Sequence, residues 1–211
     1  MLSLGPELGE RIMDFPSIVE IAHLMQVWGL SRDQGRWESL ADCYTPDGEM
    51  HVTWYSGTVG GFIEACKKSF SKVGPRGKHV VGQPAVDLYG ERAVAETSVQ
   101  ILARLTLSGV AVDNVSYARF IDRLVRRDGR WRIARRVAVY EKDRLDPVIP
   151  SDSFDRMMSE TDFSAIPEPY RFIGFRLLQM GRKLQDNILC DGSPDAEAYR
   201  RSCQDWLLAR T

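Results

Sequence analysis

From Lys78 onward the apolar residues of this chain stop recurring every three or four positions and begin to alternate, and the alternation continues to Asp143. Residues 78–89, 92–108, 110–127 and 130–143 read as four long strands. Gly90-Glu91, Gly109 and Asp128-Gly129 punctuate them, and the last, inside "RRDGRW", is a strong two-residue hairpin signal. Consecutive strands joined by tight turns run antiparallel. A long antiparallel sheet buries one face by taking helices onto it, which places the chain in the α+β class.

The helices come from upstream. Between Ser17 and Leu30 the residues Ile18, Ile21, Ala22, Met25 and Trp28 recur at helical steps, with Pro16-Ser17 as the start signal. A short second helix carries Trp37, Leu40, Ala41 and Tyr44 on one face and is ended by "TPDG". "EMHVTW" alternates as a strand with Met50, Val52 and Trp54 on one side. "GGFIEACKKSFSKV" returns to the helical period, and Gly74, Pro75 and Gly77 break it. The sheet is long and the helices are few, so the antiparallel sheet is expected to curl around the N-terminal helices. The result over residues 1–146 is a cone with a closed apolar end and an open mouth.

After Asp146 the composition changes. Pro147, Pro150, Pro167 and Pro169 separate three short helical patterns, the last opening at Ser193-Pro194 with Tyr199, Cys203, Trp206 and Leu207 on one face. The stretch 168–184 carries Tyr170, Ile173, Leu177 and Leu178 at helical spacing, which requires a partner surface. Residues 147–211 are too apolar for disorder and too few for an independent domain. They are expected as a helical C-terminal extension docked near the mouth of the cone, on its own chain or on a neighbouring subunit.

Charge and composition narrow the function. Lys plus Arg total 28 against 29 Asp plus Glu in 211 residues, so nothing global draws the chain to nucleic acid or to an anionic membrane. Eight arginines between 119 and 136 alternate with apolar residues near Asp122 and Asp128, the pattern of a solvated strand face rather than a nucleic-acid ribbon. No apolar run approaches the ~18 residues of a membrane span, and "MLSLGPELGERIMDF" carries acids and no long apolar stretch, unlike a secretory leader. Cysteines 43, 66, 190 and 203 form no C-x-x-C pair and no zinc spacing, and Cys43 and Cys66 fall on apolar stripes. The expectation is a cytoplasmic protein with reduced thiols and no metal. "SFSK" lacks the partner motifs of an S-x-x-K enzyme, and no glycine-rich nucleotide motif occurs, so no cofactor is implied.

Two stretches carry candidate chemistry. "DQGRW" places Asp33 on a turn before a helix, and "GKHVVG" places His79 in an apolar, β-branched run. Taken singly, Asp33 reads as the cap of the helix bearing Trp37, and His79 as a satisfied core histidine. Taken together, they read as a carboxylate–imidazole dyad, in which the carboxylate fixes the tautomer and stabilises the imidazolium. Arg135 shares a strand phase with Trp131, Ile133, Val137 and Val139, so it is expected to face the pocket and hold a phenolate or a developing oxyanion. Whether Arg135 or its neighbour Arg136 does so is open at this stage. Tyr55, Tyr117, Trp28 and Trp54 are candidate pocket walls, or ordinary strand and core residues.

The order "W-x-x-S-R-D-x-G-R-W-E-x-L", "D-G-E-M", "H-V-V-G" and "R-D-G-R-W-R-I" resembles the SnoaL-like branch of the nuclear transport factor 2 (cystatin-like cone) superfamily over residues 15–145. The placement of Asp33 and His79 is similar to that in scytalone dehydratase and hexachlorocyclohexane dehydrochlorinase. The resemblance implies a cofactor-independent lyase that works by acid–base elimination on a small aromatic molecule, assembled as a homo-oligomer, a trimer rather than a dimer. Dehydration, dehydrohalogenation, and loss of water plus formaldehyde from a lignin-derived diarylpropane all fit it. A ring isomerase or cyclase using the same dyad, and a non-catalytic binding module, are the alternatives, because the fold carries all of these. The chain departs from the dehydratase pattern in having Arg32 where a tyrosine precedes the aspartate. It also lacks the second active-site histidine on the next strand, since His23 and His51 lie elsewhere.

Overall fold

The computed structural model describes residues 14–70 and 77–209. The stretch read as lacking a leader falls largely outside them, as does the Gly74-Pro75 break. Helix α1 (Phe15–Gln34) is capped by Asp14, whose carboxylate accepts from the backbone N–H of Ser17 at 3.2 Å and from its hydroxyl at 2.6 Å. It runs past the expected end at Leu30 and stops at Gly35, which takes the left-handed conformation with φ 67°. Helix α2 (Trp37–Asp42) is shorter than expected, because Tyr44 already belongs to strand β1 (Tyr44–Val52). Strand β2 (Tyr55–Thr58) and helix α3 (Val59–Ser69) follow.

The alternating half of the chain forms strands β3 (Lys78–Val81), β4 (Ala85–Tyr89), β5 (Arg92–Leu107), β6 (Val110–Arg127) and β7 (Arg130–Pro147). The first expected strand is thus split in two at Gly82-Gln83-Pro84, where proline has no N–H for a ladder. Both halves pair with β5. Ser108-Gly109 and Asp128-Gly129, all four with positive φ, make the turns on either side of β6. Such turns match the twist of the strands that they join.

The sheet follows the order β2-β1-β7-β6-β5-β3. It is mixed rather than wholly antiparallel, since β1 joins β7 in parallel. No tight turn links that pair, so nothing forces it to be antiparallel. Between α1, α3 and the inner sheet face lies the core, with Met25, Trp28, Leu40, Phe120, Ile133 and Tyr140 almost fully buried.

One irregularity sets which side chains enter that core. Arg123 faces Arg135 across β6 and β7, yet Leu124 faces Ile133, so Ala134 is an extra residue. A bulge of this kind shifts the inside–outside phase of the rest of the strand. Trp131 and Ile133 point inward before it, and Arg136, Ala138 and Tyr140 after it. Arg136 has no exposed surface and bridges Asp122, equally buried, through Nε at 2.8 Å and a terminal nitrogen at 2.7 Å. Its guanidinium lies 4.3 Å from the ring centres of both Trp28 and Phe120 and also reaches Met25 Sδ.

The C-terminal residues form helices α4 (Asp152–Glu160), α5 (Arg171–Gln179) and α6 (Pro194–Leu208), with a two-residue strand β8 (Leu189–Cys190) on β7. Helix α5 puts Ile173, Phe175 and Leu177 into the main core. Helix α6 lies on the opposite face, where Ala196, Cys203 and Leu207 pack on Val94, Ile121 and Val139. Part of the outer sheet face is therefore covered by the chain itself. Among the described residues no helix is long and apolar enough to cross a membrane.

Removing one member of a buried ion pair strands the other charge in the core, at a cost of about 3–5 kcal/mol. Asp122→Ala should lower the free energy of unfolding by that order in urea denaturation. Replacing Asp122 and Arg136 together by apolar residues of similar volume should recover most of the loss.

Candidate functional site

The last turn of α1 and the first residues of β3 meet at one point. Asp33 is not the cap of α2, a position held by Arg36; it stands in the final turn of α1. Its Oδ2 accepts the backbone N–H of His79 at 2.7 Å, and its Oδ1 lies 2.6 Å from His79 Nδ1. One carboxylate therefore holds both the strand and the ring. The approach depends on Gly29: a Cβ there would sit 2.9 Å from a Val81 methyl. Gln26 adds a bond from its amide to the Val81 carbonyl at 3.0 Å.

The Asp33 contact assigns the tautomer. A carboxylate at Nδ1 requires the proton on that nitrogen, leaving Nε2 as the acceptor. Burial pushes the imidazole pKa below its usual 6.5; the hydrogen bond and charge of Asp33 oppose this, while Arg32 and Arg136 add to it. His79 is consequently neutral near pH 7, with a carboxylate in place to stabilise the cation once it forms. Trp28 meets the ring edge-on at 5.4 Å between centres.

The pair opens on a cavity of about 260 Å³ whose walls include Trp28, Trp54, Phe62, Phe120 and Leu177, with Cys66 and Tyr140 also on it. A void of roughly 150 Å³ accepts one benzene, so this one has room for a single substituted ring. The burial that places Cys66 here also raises its thiol pKa, which leaves the sulfur protonated and inert.

Of the residues picked from the sequence, the structure brings together Asp33, His79, Trp28 and Trp54. Three others are corrected. Arg135 points away from this cavity, because the bulge at Ala134 reverses the strand phase; its guanidinium pairs with Glu49 at 3.3 Å on the outer face. Tyr117 is also on the outer face, under the Lys142 ammonium at 5.5 Å. Tyr55 lies behind Trp54 and Phe62, and its hydroxyl donates to the Thr58 carbonyl. Arg136, the alternative to Arg135, faces inward but is consumed by Asp122. Sequence reading missed Arg32, Arg176 and Arg182, which line the cavity. Arg32 was visible beside Asp33, whereas the other two come from a region without a strand pattern to place them. Among the described residues, no three His, Cys, Asp or Glu side chains gather as a metal site.

Asp33→Asn removes the interactions that hold the imidazole pKa up, so His79 should titrate at lower pH in that variant than in the parent. Proton NMR of the ring C–H resonances measures this. The folded pKa lies below the unfolded one, so stability falls as pH drops from 6.5 toward the folded value. The variant should extend that fall to lower pH.

The fold has clear relatives. A curated relative, pea pathogenicity protein 2 of Fusarium vanettenii, is 27% identical over 161 residues, covering 74% of this chain and 67% of its own. A putative scytalone dehydratase from Novosphingobium aromaticivorans superposes with a TM-score of 0.54 at 17% identity, over 66% of this chain and 97% of that one. A hexachlorocyclohexane dehydrochlorinase gives 0.54 at 15% identity, over 65% and 92%. At such identities the two structures speak for the shared fold alone. Residues 14–137 match the SnoaL-like domain, and with that match over more than half its length the chain belongs to the SnoaL-like family of the nuclear transport factor 2 superfamily.

Proposed function

We propose that this protein is a cofactor-independent lyase that eliminates a proton and a leaving group from a small aromatic molecule. The observation that carries the reading is the imidazole of His79, held at Nδ1 by Asp33 on the wall of an aromatic-lined cavity. Nε2 takes a proton from carbon, the C–H electron pair forms a double bond, and hydroxide or halide departs. Asp33 stabilises the imidazolium. In a dehydration that imidazolium returns its proton to the leaving oxygen; in a dehydrohalogenation it passes the proton to solvent. Arg32, next to Asp33 and on the same wall, supplies positive charge for the departing or delocalised anion.

Cavity size favours a one-ring substrate. A lignin-derived diarylpropane, losing water and then formaldehyde, would have to extend its second ring through the mouth. The dyad and the described cavity wall are built by residues of one chain. A homotrimer joined through the sheet would form around α6, and light scattering after gel filtration measures the assembly directly.

A screen of hydroxylated and halogenated aromatics, followed by ultraviolet absorbance for the new conjugated bond and by mass spectrometry, tests the reading. Elimination lowers the mass of the substrate; an isomerase with the same dyad would leave it unchanged. His79→Ala should lower turnover by about 10²-fold or more while the thermal melt stays cooperative. The rate should fall on the acid side with a midpoint below pH 6.5, since only neutral His79 is a base. Retention of full turnover by His79→Ala would end the proposal.

A further inference from the structure

The cavity beside His79 has an imbalance of charge that the elimination chemistry, which uses Arg32 alone, does not fully explain. Arg32, Arg176 and Arg182 line it together with one carboxylate, Asp33, which is committed to His79. None of the three arginines makes a salt bridge among the described residues. A fourth arginine on the wall, Arg104, is neutralised by a two-pronged bond to Asp113 at 2.8 and 2.7 Å. The contrast is informative: where this protein wants a quiet arginine, it gives it an acid.

Arg176 is the most exposed to this argument. It projects from α5, and its Nε is shielded from solvent with no hydrogen-bond partner. Asp143, the acid whose charge acts on it, accepts the backbone N–H of Ile173 at Oδ2 over 2.7 Å and leaves Oδ1 buried and unpartnered. Burial raises the Asp143 pKa to about 6, so even its own negative charge is held weakly. Burial lowers Arg176 to about 10, with Tyr140 and Asp143 opposing the shift and the positive charge of Arg182 adding to it. Arg182 stacks on Trp54 at 4.0 Å and is itself opposed by Arg32. Three guanidiniums that repel one another across a desolvated space cost free energy unless an anion joins them.

We infer that the substrate of this site carries a carboxylate, gripped by Arg176 and Arg182 from the C-terminal extension while its reacting carbon lies at His79. A guanidinium offers a carboxylate two parallel N–H donors, and two such forks fix the position of an aromatic acid against Trp54. Carboxylate is favoured over phosphate because the first-turn N–H of α5 beside the cavity, that of Ile173, is already accepted by Asp143 and is not free for the backbone contacts that phosphate sites commonly use; Arg176 stands toward the C-terminal end of its helix. The inference rests on the use of this cavity as the substrate site proposed above. It adds that residues 171–182 select the substrate as well as walling the cavity.

Binding can be read without turnover, since Trp28 and Trp54 line the cavity and report occupancy by fluorescence. Benzoate, benzamide and phenylphosphate are titrated into the full chain and into Arg176→Ala, Arg176→Lys, Arg182→Gln and His79→Ala. Benzoate should bind about tenfold or more tightly than benzamide, as expected for charge-assisted hydrogen bonds. Arg176→Ala and Arg182→Gln should each remove most of that preference while leaving benzamide unchanged, and Arg176→Lys should restore part of it. Should Arg176→Ala fail to melt cooperatively, Arg182→Gln decides alone. Equal affinity for benzoate and benzamide, or a preference that survives Arg182→Gln, overturns the inference. Tighter binding of phenylphosphate than benzoate overturns the choice of carboxylate. His79→Ala should keep the benzoate preference: a preference without elimination of any aromatic acid sinks the lyase reading alone, and elimination without a preference sinks this inference alone.

Discussion

A guanidinium with no access to water has to be answered inside the protein, and Arg136 is answered from three directions at once. Asp122 on β6 supplies the counter-charge, Trp28 and Met25 on α1 supply an indole face and a sulfur, and Phe120 closes the other side. Charge pairs of this sort add little net stability against an apolar alternative, but they tolerate few geometries. The helix and two central strands are thereby held in one relative position. Trp28 is gripped between Arg136 and the edge of His79, and Asp33 stands farther along the same helix, at its end. The placement of the dyad is inherited from a pair that never touches the cavity.

Much of this was legible in the sequence because the responsible signals are local. Period-two alternation gave β5, β6 and β7, and Asp128-Gly129 gave a hairpin turn. Asp33 was found, though its local role was misread. Arg32, Asp33, Gln34 and Gly35 look like the approach to α2, when they are the end of α1 and its left-handed cap. The choice of Arg135 failed for a different reason. Counting alternate residues along β7 assumes an unbroken ladder, and Ala134 breaks it. The extra residue leaves no mark in composition, because alanine suits either face. Arg176 and Arg182 were beyond reach because their meaning depends on tertiary docking of α5, not on any periodicity of their own.

The C-terminal extension also joins two sides of the sheet that are usually treated separately. Helix α5 completes the inner core and α6 covers the outer face, with Arg123 stacked against both Tyr199 and Trp206. Tyr140, in β7, is shared between the dyad's cavity and a second hollow on the outer side, where Leu189 and Tyr199 lie. Its hydroxyl is fixed by Thr53, donating to Oγ1 and accepting the backbone N–H. Val52, in β1, lines both hollows as well.

Strand β3 ends the sheet, and its outer rim is the sort of unpaired backbone on which another chain can build. Among the described residues no further strand covers it. Side chains of α1 take that place: the Asp33 carboxylate receives the N–H of His79, and the Gln26 amide gives to the carbonyl of Val81. The group that orients the candidate base is thus also a seal on the sheet. One carboxylate serves both ends, Oδ1 on the ring and Oδ2 on the strand, so drift at Asp33 would open the sheet edge in the act of releasing the imidazole.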